Sequence, residues 1–258
     1  MLHYSLTSLA QQISEPKFDI VVYLCCNDET FDWYSHYHLN RFCLPKDFPG
    51  VKFIVSDYRS NDAYMSKWYH MQKVFELGYD QVFYLDCDSM FFADPSEFFS
   101  LESGYVYCLF ETRKPANDIL LDNHHGMNSG HILIDHTVFE KIPNFYNTLC
   151  KKRSQLNSQA QELYDRNQIS ESDLEEFCYF NEQYCAQMSF LEHKIDLRRF
   201  DPEKINWGAE NRKLAYDSEG NVMVDPHPSV ILHYTSAGAH MFLPYRYHTK
   251  YFKKQLIA

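Results

Sequence analysis

The sequence predicts an α/β protein with a mostly parallel sheet flanked by helices, and three observations lead to this prediction. Continuous apolar runs at residues 18–26, 51–57 and 81–86 have the length of strands, and polar residues bound each of them. A helical pattern over residues 63–78 separates the second run from the third. Strands that are apolar along their whole length and alternate with helices are typical of parallel sheets buried between helical layers.

The helical pattern at residues 63–78 places apolar side chains three or four positions apart, which puts them on one face of a helix. These side chains are Met65, Trp68, Met71, Val74 and Phe75. The segment closes with Gly78, and glycine is a common residue at the end of a helix. The chain from 51 to 86 is therefore predicted to form a strand–helix–strand unit.

The second half of the chain continues the alternation. We predict strands at residues 105–110, 129–135 and 228–236, a helix at 137–152 interrupted near Pro143, and a hairpin at 213–225 around Gly220. Residues 154–177 are polar with sparse apolar positions. This composition favours a helical segment at the periphery, such as an insertion near a cleft. Because the sequence shows no internal repeat and no low-complexity linker, we expect residues 1–258 to form a single domain.

The charge of the chain excludes two classes of partner. The sequence has 35 acidic and 24 basic residues, and its formal net charge is -11 at pH 7. Nucleic acids and anionic membranes both bind positively charged protein surfaces. We therefore expect neither as a partner.

The N-terminal residues and the cysteines indicate the compartment. The N-terminal segment has no leader pattern, and no window of about 18 apolar residues occurs in the sequence. The eight cysteines form no Cys-x-x-Cys pair and no disulfide framework, so we expect buried free thiols. Together these features predict a cytoplasmic protein without a membrane segment.

Two carboxylates follow the third apolar run, in the stretch YLDCDSMFFADP at residues 84–95. Residues two positions apart in an extended chain point the same way, so Asp86 and Asp88 should face one side. Two like charges this close favour a cation between them, and oxygen ligands open to solvent suit Mg²⁺ or Mn²⁺. The alternative is that Asp88 caps the following segment while Asp86 pairs with a basic side chain.

Polar residues also follow other predicted strands. Ligands bind at the carboxyl ends of parallel strands, and Asn27, Asp28 and Asp57 each lie at or just beyond such an end. His233 ends the last apolar run, and a neutral imidazole beside two carboxylates can complete a metal site. We interpret the two histidines at residues 124–125 as part of a polar loop rather than a second metal site.

Several short motifs stand in a characteristic order. They are CCND at 25–28, KWYHM at 67–71, the DxD of Asp86 and Asp88, NSG at 128–130, NEQ at 181–183 and ILHYTSAG at 231–238. In this order they resemble the nucleotide-sugar-dependent glycosyltransferases of the GT-A fold, and most nearly the glycogenin-like retaining family eight. The resemblance extends over about residues 18–240, nearly the whole chain.

The resemblance implies a role for each site residue. It implies Mn²⁺ ligands at Asp86, Asp88 and His233, donor-nucleotide contacts at Asn27, Asp28 and Asp86, a phosphate or sugar contact at Lys67, and residues at the reacting sugar at Asn128, Glu182 and Gln183. Simpler alternatives exist for three of them. Lys67 could be an exposed helix residue, Asn128 a turn residue and Glu182 a surface charge.

The sequence departs from this family after His233. Glycogenin-like proteins usually carry a Gly and then a Lys that binds the diphosphate, whereas HYTSAGAHMF at residues 233–242 contains no Lys. His240 or backbone N–H groups would have to take the place of that Lys.

We therefore expect a metal-dependent glycosyltransferase that moves a sugar from a nucleotide-diphosphate donor to a hydroxyl of a glycan or another acceptor. The resemblance implies a UDP-sugar as donor and retention of configuration. One alternative is a phosphatase of the haloacid dehalogenase type, which also has a DxD after a strand but normally on its first strand. The other is a non-catalytic domain that binds nucleotide sugars or glycans.

Overall fold

The computed structural model describes residues 2–13, 17–24, 51–58, 63–87, 89–91, 93–111, 126–207, 214–216, 222–224 and 230–233. The chain divides into two compact units. Unit 1 consists of Met1–Ser56, Leu85–Ser100 and Phe200–Ala258, and unit 2 consists of Asp57–Tyr84 and Leu101–Arg199. Both units combine helices with strands, so the predicted α/β class is confirmed.

The described residues contain the following elements. The helices are α1 (Leu2–Gln12), α2 (Ala63–Glu76), α3 (His136–Lys141), α4 (Phe145–Asp165) and α5 (Glu171–Glu192), with a 3₁₀ helix at Pro95–Ser100. The strands are β1 (Ile20–Leu24), β2 (Val51–Val55), β3 (Gln81–Leu85), β4 (Ser89–Phe91), β5 (Val106–Glu111), β6 (Gly126–Asp135), β7 (Leu197–Arg199), β8 (Ile205–Trp207), β9 (Leu214–Tyr216), β10 (Val222–Val224) and β11 (Ile231–His233). None of the helices in these ranges is long and apolar enough to span a membrane.

Unit 1 contains parallel and antiparallel strand pairs. β1 pairs in parallel with β2, and β11 lies between β8, to which it is parallel, and β4, to which it is antiparallel. β9 and β10 pair antiparallel, as the predicted hairpin at residues 213–225 requires, and its turn around Gly220 lies outside the described residues.

Helix α1 belongs to unit 1, although the sequence patterns did not predict it. Its buried face carries Leu6 and Leu9, and Ile13 follows directly after the helix. The hydroxyl of Ser8 accepts a hydrogen bond from the backbone N–H of Phe91 at 3.0 Å, which ties the helix to β4. The N-terminal segment is thus an integral part of this unit.

Unit 2 is organised around a four-stranded sheet in the order β3-β6-β5-β7. β5 pairs antiparallel with β6 and parallel with β7, so the sheet is mixed. Every residue of β6 is buried. Helices α2, α4 and α5 complete one hydrophobic core with this sheet, in which the rings of Trp68 and Phe190 lie 6.1 Å apart.

The break predicted near Pro143 separates α3 from α4. Of the predicted helical segment at 154–177, residues 154–165 and 171–177 are helical, and a turn at 166–170 separates them. These residues form the end of α4 and the beginning of α5, two helices that pack against each other. Leu156, Ala160 and Phe177 are part of the hydrophobic core of unit 2.

A bulge interrupts β6 where it pairs with β5. Cys108 lies opposite Ile132, but its neighbour Leu109 lies opposite Asn128. Three residues of β6, numbers 129–131, therefore have no counterpart on β5. Bulges of this kind redirect side chains and are frequent beside functional sites.

The prediction of buried free thiols is correct for two of the cysteines and wrong for two others. Cys108 and Cys185 are buried, and burial raises the pKa of the Cys108 thiol to about 12. Cys87 and Cys178 are exposed, because Cys87 lies in the turn after β3 and Cys178 on the outer side of α5.

The buried imidazole of His70, on α2, makes the stability of unit 2 depend on pH. Burial lowers the pKa of His70 from its ordinary 6.5 to about 4, while the charge of Asp57 acts in the opposite direction. Between these values the unfolded chain binds a proton that the folded chain does not. His70 therefore contributes its full stabilisation above pH 6.5, the pKa of the unfolded chain. This stabilisation is lost as the pH falls towards about 4, the pKa in the folded protein.

We expect the free energy of unfolding to fall by about 2–3 kcal/mol more in the wild type than in His70→Gln when the pH is lowered from about 7 to about 4.5. Urea unfolding at several pH values measures this difference. Identical pH dependence of the two proteins would contradict the prediction.

Candidate functional site

Three elements of unit 2 bring polar side chains into one buried cluster. Helix α2 contributes Lys67 and Trp68, the bulge of β6 contributes Ser129, and α5 contributes Glu182 and Gln183. All five are among the buried residues of the core. Sequence separation of 53 to 115 residues between the hydrogen-bonded partners shows that the tertiary fold assembles this cluster.

Lys67 and Glu182 form a buried ion pair. Lys67 Nζ lies 3.2 Å from Glu182 Oε1, and the two residues are only 8% and 4% exposed. Lys67 Nζ also donates to the hydroxyl oxygen of Ser129 at 2.8 Å and to its backbone carbonyl at 3.3 Å. The alternatives of an exposed helix lysine and a surface glutamate are therefore wrong.

The carboxylate of Glu182 accepts hydrogen bonds on both oxygens. The Ser129 hydroxyl donates to Oε1 at 2.5 Å, and the indole N–H of Trp68 donates to Oε2 at 2.9 Å. A buried charge is tolerated only where a counter-charge and hydrogen bonds compensate for its lost hydration. Here Lys67, Ser129 and Trp68 together provide that compensation.

Two glutamines on α5 bind the backbone of β6 in the same way. The side-chain oxygen of Gln183 accepts from the N–H of Ser129 at 3.3 Å, and that of Gln187 accepts from the N–H of Met127 at 2.9 Å. The amide nitrogen of Gln183, in contrast, is buried and has no hydrogen-bond partner in the described part of the chain.

Asn128 lies within β6 and not in a turn, contrary to the simpler alternative. Its side chain is buried, and its Oδ1 accepts from the backbone N–H of Gly130 at 2.9 Å. This contact spans the start of the bulge that directs Ser129 towards Lys67 and Glu182. Asn128 therefore lies beside the cluster and supports the local backbone.

β3 ends at Leu85, and the N–H of Ser89 donates to the carbonyl of Asp86 at 3.1 Å. A bond between residues three apart is typical of a turn. That Asp86 and Asp88 face one side stays a prediction, because Asp88 lies outside the described residues. Asp86 itself is half-buried.

The strand pairing of unit 1 brings the last predicted metal ligand to this turn. β11 is antiparallel to β4, and His233 lies directly opposite Ser89, the residue that follows Asp88. Residues separated by more than 140 positions in the chain are thus neighbours in the sheet.

Several predicted site residues lie outside the described residues. They are Asn27, Asp28, Asp88, His240, the histidine pair at 124–125 and the side chain of His233. Among the side chains that the structure describes, no group of three or more His, Cys, Asp or Glu could hold a metal ion.

Sequence reasoning misses two members of the cluster, Ser129 and Trp68. Ser129 lies inside the NSG motif, in which the resemblance indicates only Asn128, and the apolar spacing of α2 places Trp68 among the core residues. The indole N–H of a fully buried tryptophan needs an acceptor, and this requirement is the signal that could have indicated a role for Trp68.

No protein-family model matches the sequence, and no curated protein matches it. Solved structures, in contrast, match it over most of its length. The galactosyltransferase LgtC in complex with donor and acceptor sugar analogs has a TM-score of 0.56 and 13% identity, covering 96% of this chain and 89% of LgtC. Mouse xyloside xylosyltransferase 1 has a TM-score of 0.51 and 15% identity, covering 80% of each chain.

The glycosyltransferase GlyE of Streptococcus pneumoniae, in its apo form, has a TM-score of 0.51 and 16% identity. This match covers 98% of the present chain but 60% of GlyE, so the chain spans less than two thirds of that protein. These likenesses show that the chain has the GT-A fold of glycosyltransferases. The resemblance based on the sequence motifs is confirmed at the level of the fold.

Proposed function

We propose that this protein is a glycosyltransferase that moves a sugar from a nucleotide-diphosphate donor to a hydroxyl acceptor. The GT-A fold, shared over 96% of the chain with a galactosyltransferase, is the observation that carries this proposal. A UDP-sugar is the proposed donor, a glycan or another hydroxyl compound the proposed acceptor, and retention the proposed stereochemistry.

The buried cluster of unit 2 supports this function. Buried charges and unpaired polar groups cost stability, and proteins concentrate them at functional sites. In this proposal Gln183 and Asn128 act at the sugar, and Lys67 provides the positive charge for the donor. The resemblance also implies Glu182 at the reacting sugar. Because its carboxylate accepts three hydrogen bonds within the protein, we propose instead that it positions Lys67.

A divalent metal, Mn²⁺ or Mg²⁺, is the proposed cofactor. Asp86, Asp88 and His233 would hold it, because the pairing of β4 with β11 places His233 opposite the residue after Asp88. When bound, such an ion neutralises the negative charge that develops on a departing diphosphate. Asn27 and Asp28 are proposed to contact the nucleoside, and His240 the diphosphate.

Of the two alternative functions, the phosphatase disagrees with the fold and the non-catalytic binding domain does not. A dehalogenase-type phosphatase would place the DxD on its first strand, whereas Asp86 follows β3, and the fold is that of glycosyltransferases. We do not propose that function. A domain that binds nucleotide sugars without turnover would use the same fold and the same residues.

A release assay separates the enzyme from the binding domain. The purified protein is incubated with a panel of nucleotide sugars and Mn²⁺, with and without excess EDTA, and the nucleoside diphosphate is quantified. We expect release from one nucleotide sugar above all others, and loss of that release in EDTA. Tight binding of a nucleotide sugar without release at any metal concentration would establish the non-catalytic alternative.

A further inference from the structure

One side of strand β4 faces helix α1 instead of another strand. Among the described residues, β4 is an edge strand of the sheet β4-β11-β8, so only its side towards β11 pairs within the sheet. The other side of an edge strand presents backbone N–H and C=O groups that need different partners. On β4 the N–H of Phe91, a buried residue, donates to the hydroxyl oxygen of Ser8 on α1 at 3.0 Å. A helix side chain thus takes the place of a neighbouring strand.

The hydroxyl of Ser8 is oriented for this contact. A hydroxyl has one proton, and Ser8 donates it to the carbonyl of Ser5, one turn earlier in α1, at 2.8 Å. Only lone pairs of the oxygen therefore face Phe91, whose N–H is a donor. Ser8 is 3% exposed, so the contact is shielded from water. Loss of this hydroxyl would leave a buried N–H of β4 without its acceptor.

The directions of the N–H groups of β4 show how weakly β11 holds this strand. Residue pairs of an antiparallel ladder alternate between pairs that exchange two hydrogen bonds and pairs that exchange none. The N–H of Phe91 points to α1 and that of Ser89 to the carbonyl of Asp86, so neither is directed at β11. The bonded pair is therefore Met90 with Leu232. A strand of three residues is held by one such pair.

Strand β4 begins where the turn at residues 86–89 ends, and this turn carries two proposed site residues. The N–H of Ser89 donates to the carbonyl of Asp86 at 3.1 Å within the turn. Ser89 and His233 form a pair of the non-bonded type, in which the Cα atoms approach to about 4.5 Å. Because the net contribution of each hydrogen bond is modest, one bonded pair fixes this arrangement only in part. The contact with α1 is a second support.

We propose that helix α1 positions the turn at residues 86–89, and that Ser8 is the residue through which it acts. Ser8 holds the N–H of Phe91, this contact fixes β4 against β11, and β4 fixes the end of the turn. Ser8 is thus a positioning residue that acts through β4. Its expected effect on turnover rests on the proposed function, in which Asp86 contacts the donor, whereas its effect on the turn does not.

Hydrogen exchange of single backbone amides, measured without any ligand, is the direct test. In Ser8→Ala the amide of Phe91 should exchange at least about tenfold faster, because it loses its acceptor. The amide of Ser89, which is bonded to Asp86 and not to α1, should exchange at least about threefold faster if the turn depends on α1. The amide of Ile231, bonded to Lys204 on the far side of β11, should change less than either.

Ser5→Ala is the matched control for this measurement. It removes a hydroxyl from the same helix at 8% exposure and keeps the carbonyl to which Ser8 donates. The exchange rates of Phe91 and Ser89 should stay within about twofold of the wild type. Faster exchange of Phe91 alone in Ser8→Ala, equal acceleration of all three amides, or no acceleration would each overturn the positioning role.

The release assay provides the second test. A displaced turn holds the donor less well, so kcat/KM for the nucleotide sugar that is turned over should fall at least about fivefold in Ser8→Ala. In Ser5→Ala it should stay within about twofold of the wild type. Thermal unfolding curves verify that both variants are folded at the assay temperature.

The two proposals fail in distinguishable ways. Faster exchange at both Phe91 and Ser89 in a protein that releases no nucleoside diphosphate supports the role of α1 and rejects the enzyme. A kcat/KM that Ser8→Ala retains in full supports the enzyme and rejects a role of α1 in it.

Discussion

Asp88→Asn should lower metal-dependent turnover at least about 100-fold, or about 2.7 kcal/mol of activation free energy, while the protein remains folded. The carboxamide keeps the shape of the side chain but removes the negative charge that a divalent ion requires. Release of nucleoside diphosphate at saturating Mn²⁺ measures the effect, and a thermal unfolding curve verifies the fold.

Asp94→Asn is the matched control for this experiment. Asp94 is exposed, lies six positions further along the chain, and accepts from the backbone N–H of Ser96 at 2.8 Å. The same loss of one negative charge there should leave turnover within about twofold of the wild type. Full turnover of Asp88→Asn, or of the wild type in excess EDTA, would reject the proposed metal ligand.

Glu182→Gln should destabilise the protein by about 3–5 kcal/mol, because it leaves the ammonium group of Lys67 buried without its counter-charge. Lys67→Met should cost less, since Ser129 and Trp68 continue to donate to Glu182. The double variant Lys67→Met with Glu182→Gln should be more stable than the sum of the two single effects predicts, by about 1–3 kcal/mol. Chemical unfolding of the four proteins measures these values.

The pair Lys73–Glu76 on α2 is the control for burial. Its N–O distance is 2.9 Å, comparable to that of Lys67 and Glu182, but its side chains are 35% and 44% exposed. Glu76→Gln should therefore cost less than about 0.5 kcal/mol. If Glu182→Gln were as mild as Glu76→Gln, the buried ion pair would not exist in solution.

Local patterns predicted much of the secondary structure. The apolar runs at 51–57 and 81–86 correspond to β2 and β3, and the apolar spacing from Met65 to Phe75 corresponds to α2. These elements can be predicted because the periodicity of apolar residues depends only on residues close together in the sequence. Local patterns do not predict helix α1, because its buried face has few apolar residues and also carries Ser5 and Ser8. These two serines are buried because α1 packs within unit 1.

The sequence predicts which residues belong to the site, but not which side chains contact each other. Lys67, Asn128, Glu182 and Gln183 could be selected from motif order, yet no local pattern distinguishes a buried lysine on α2 from an exposed one. The difference depends on the presence of Glu182 and Ser129 at 3.2 and 2.8 Å, and those residues come from distant parts of the chain.

The sequence by itself determined the α/β class, the order of the motifs and the chemical identity of the candidate residues, because composition and hydrophobic periodicity are local properties. Only the tertiary structure decided that a bulge in β6 directs Ser129 to the Lys67–Glu182 pair, and that β4 and β11 bring His233 opposite Ser89. Strand register is set by side-chain packing between segments far apart in the chain. For that reason the partners of Lys67, Glu182 and Gln183 could be known only once the sheet and its helices were assembled.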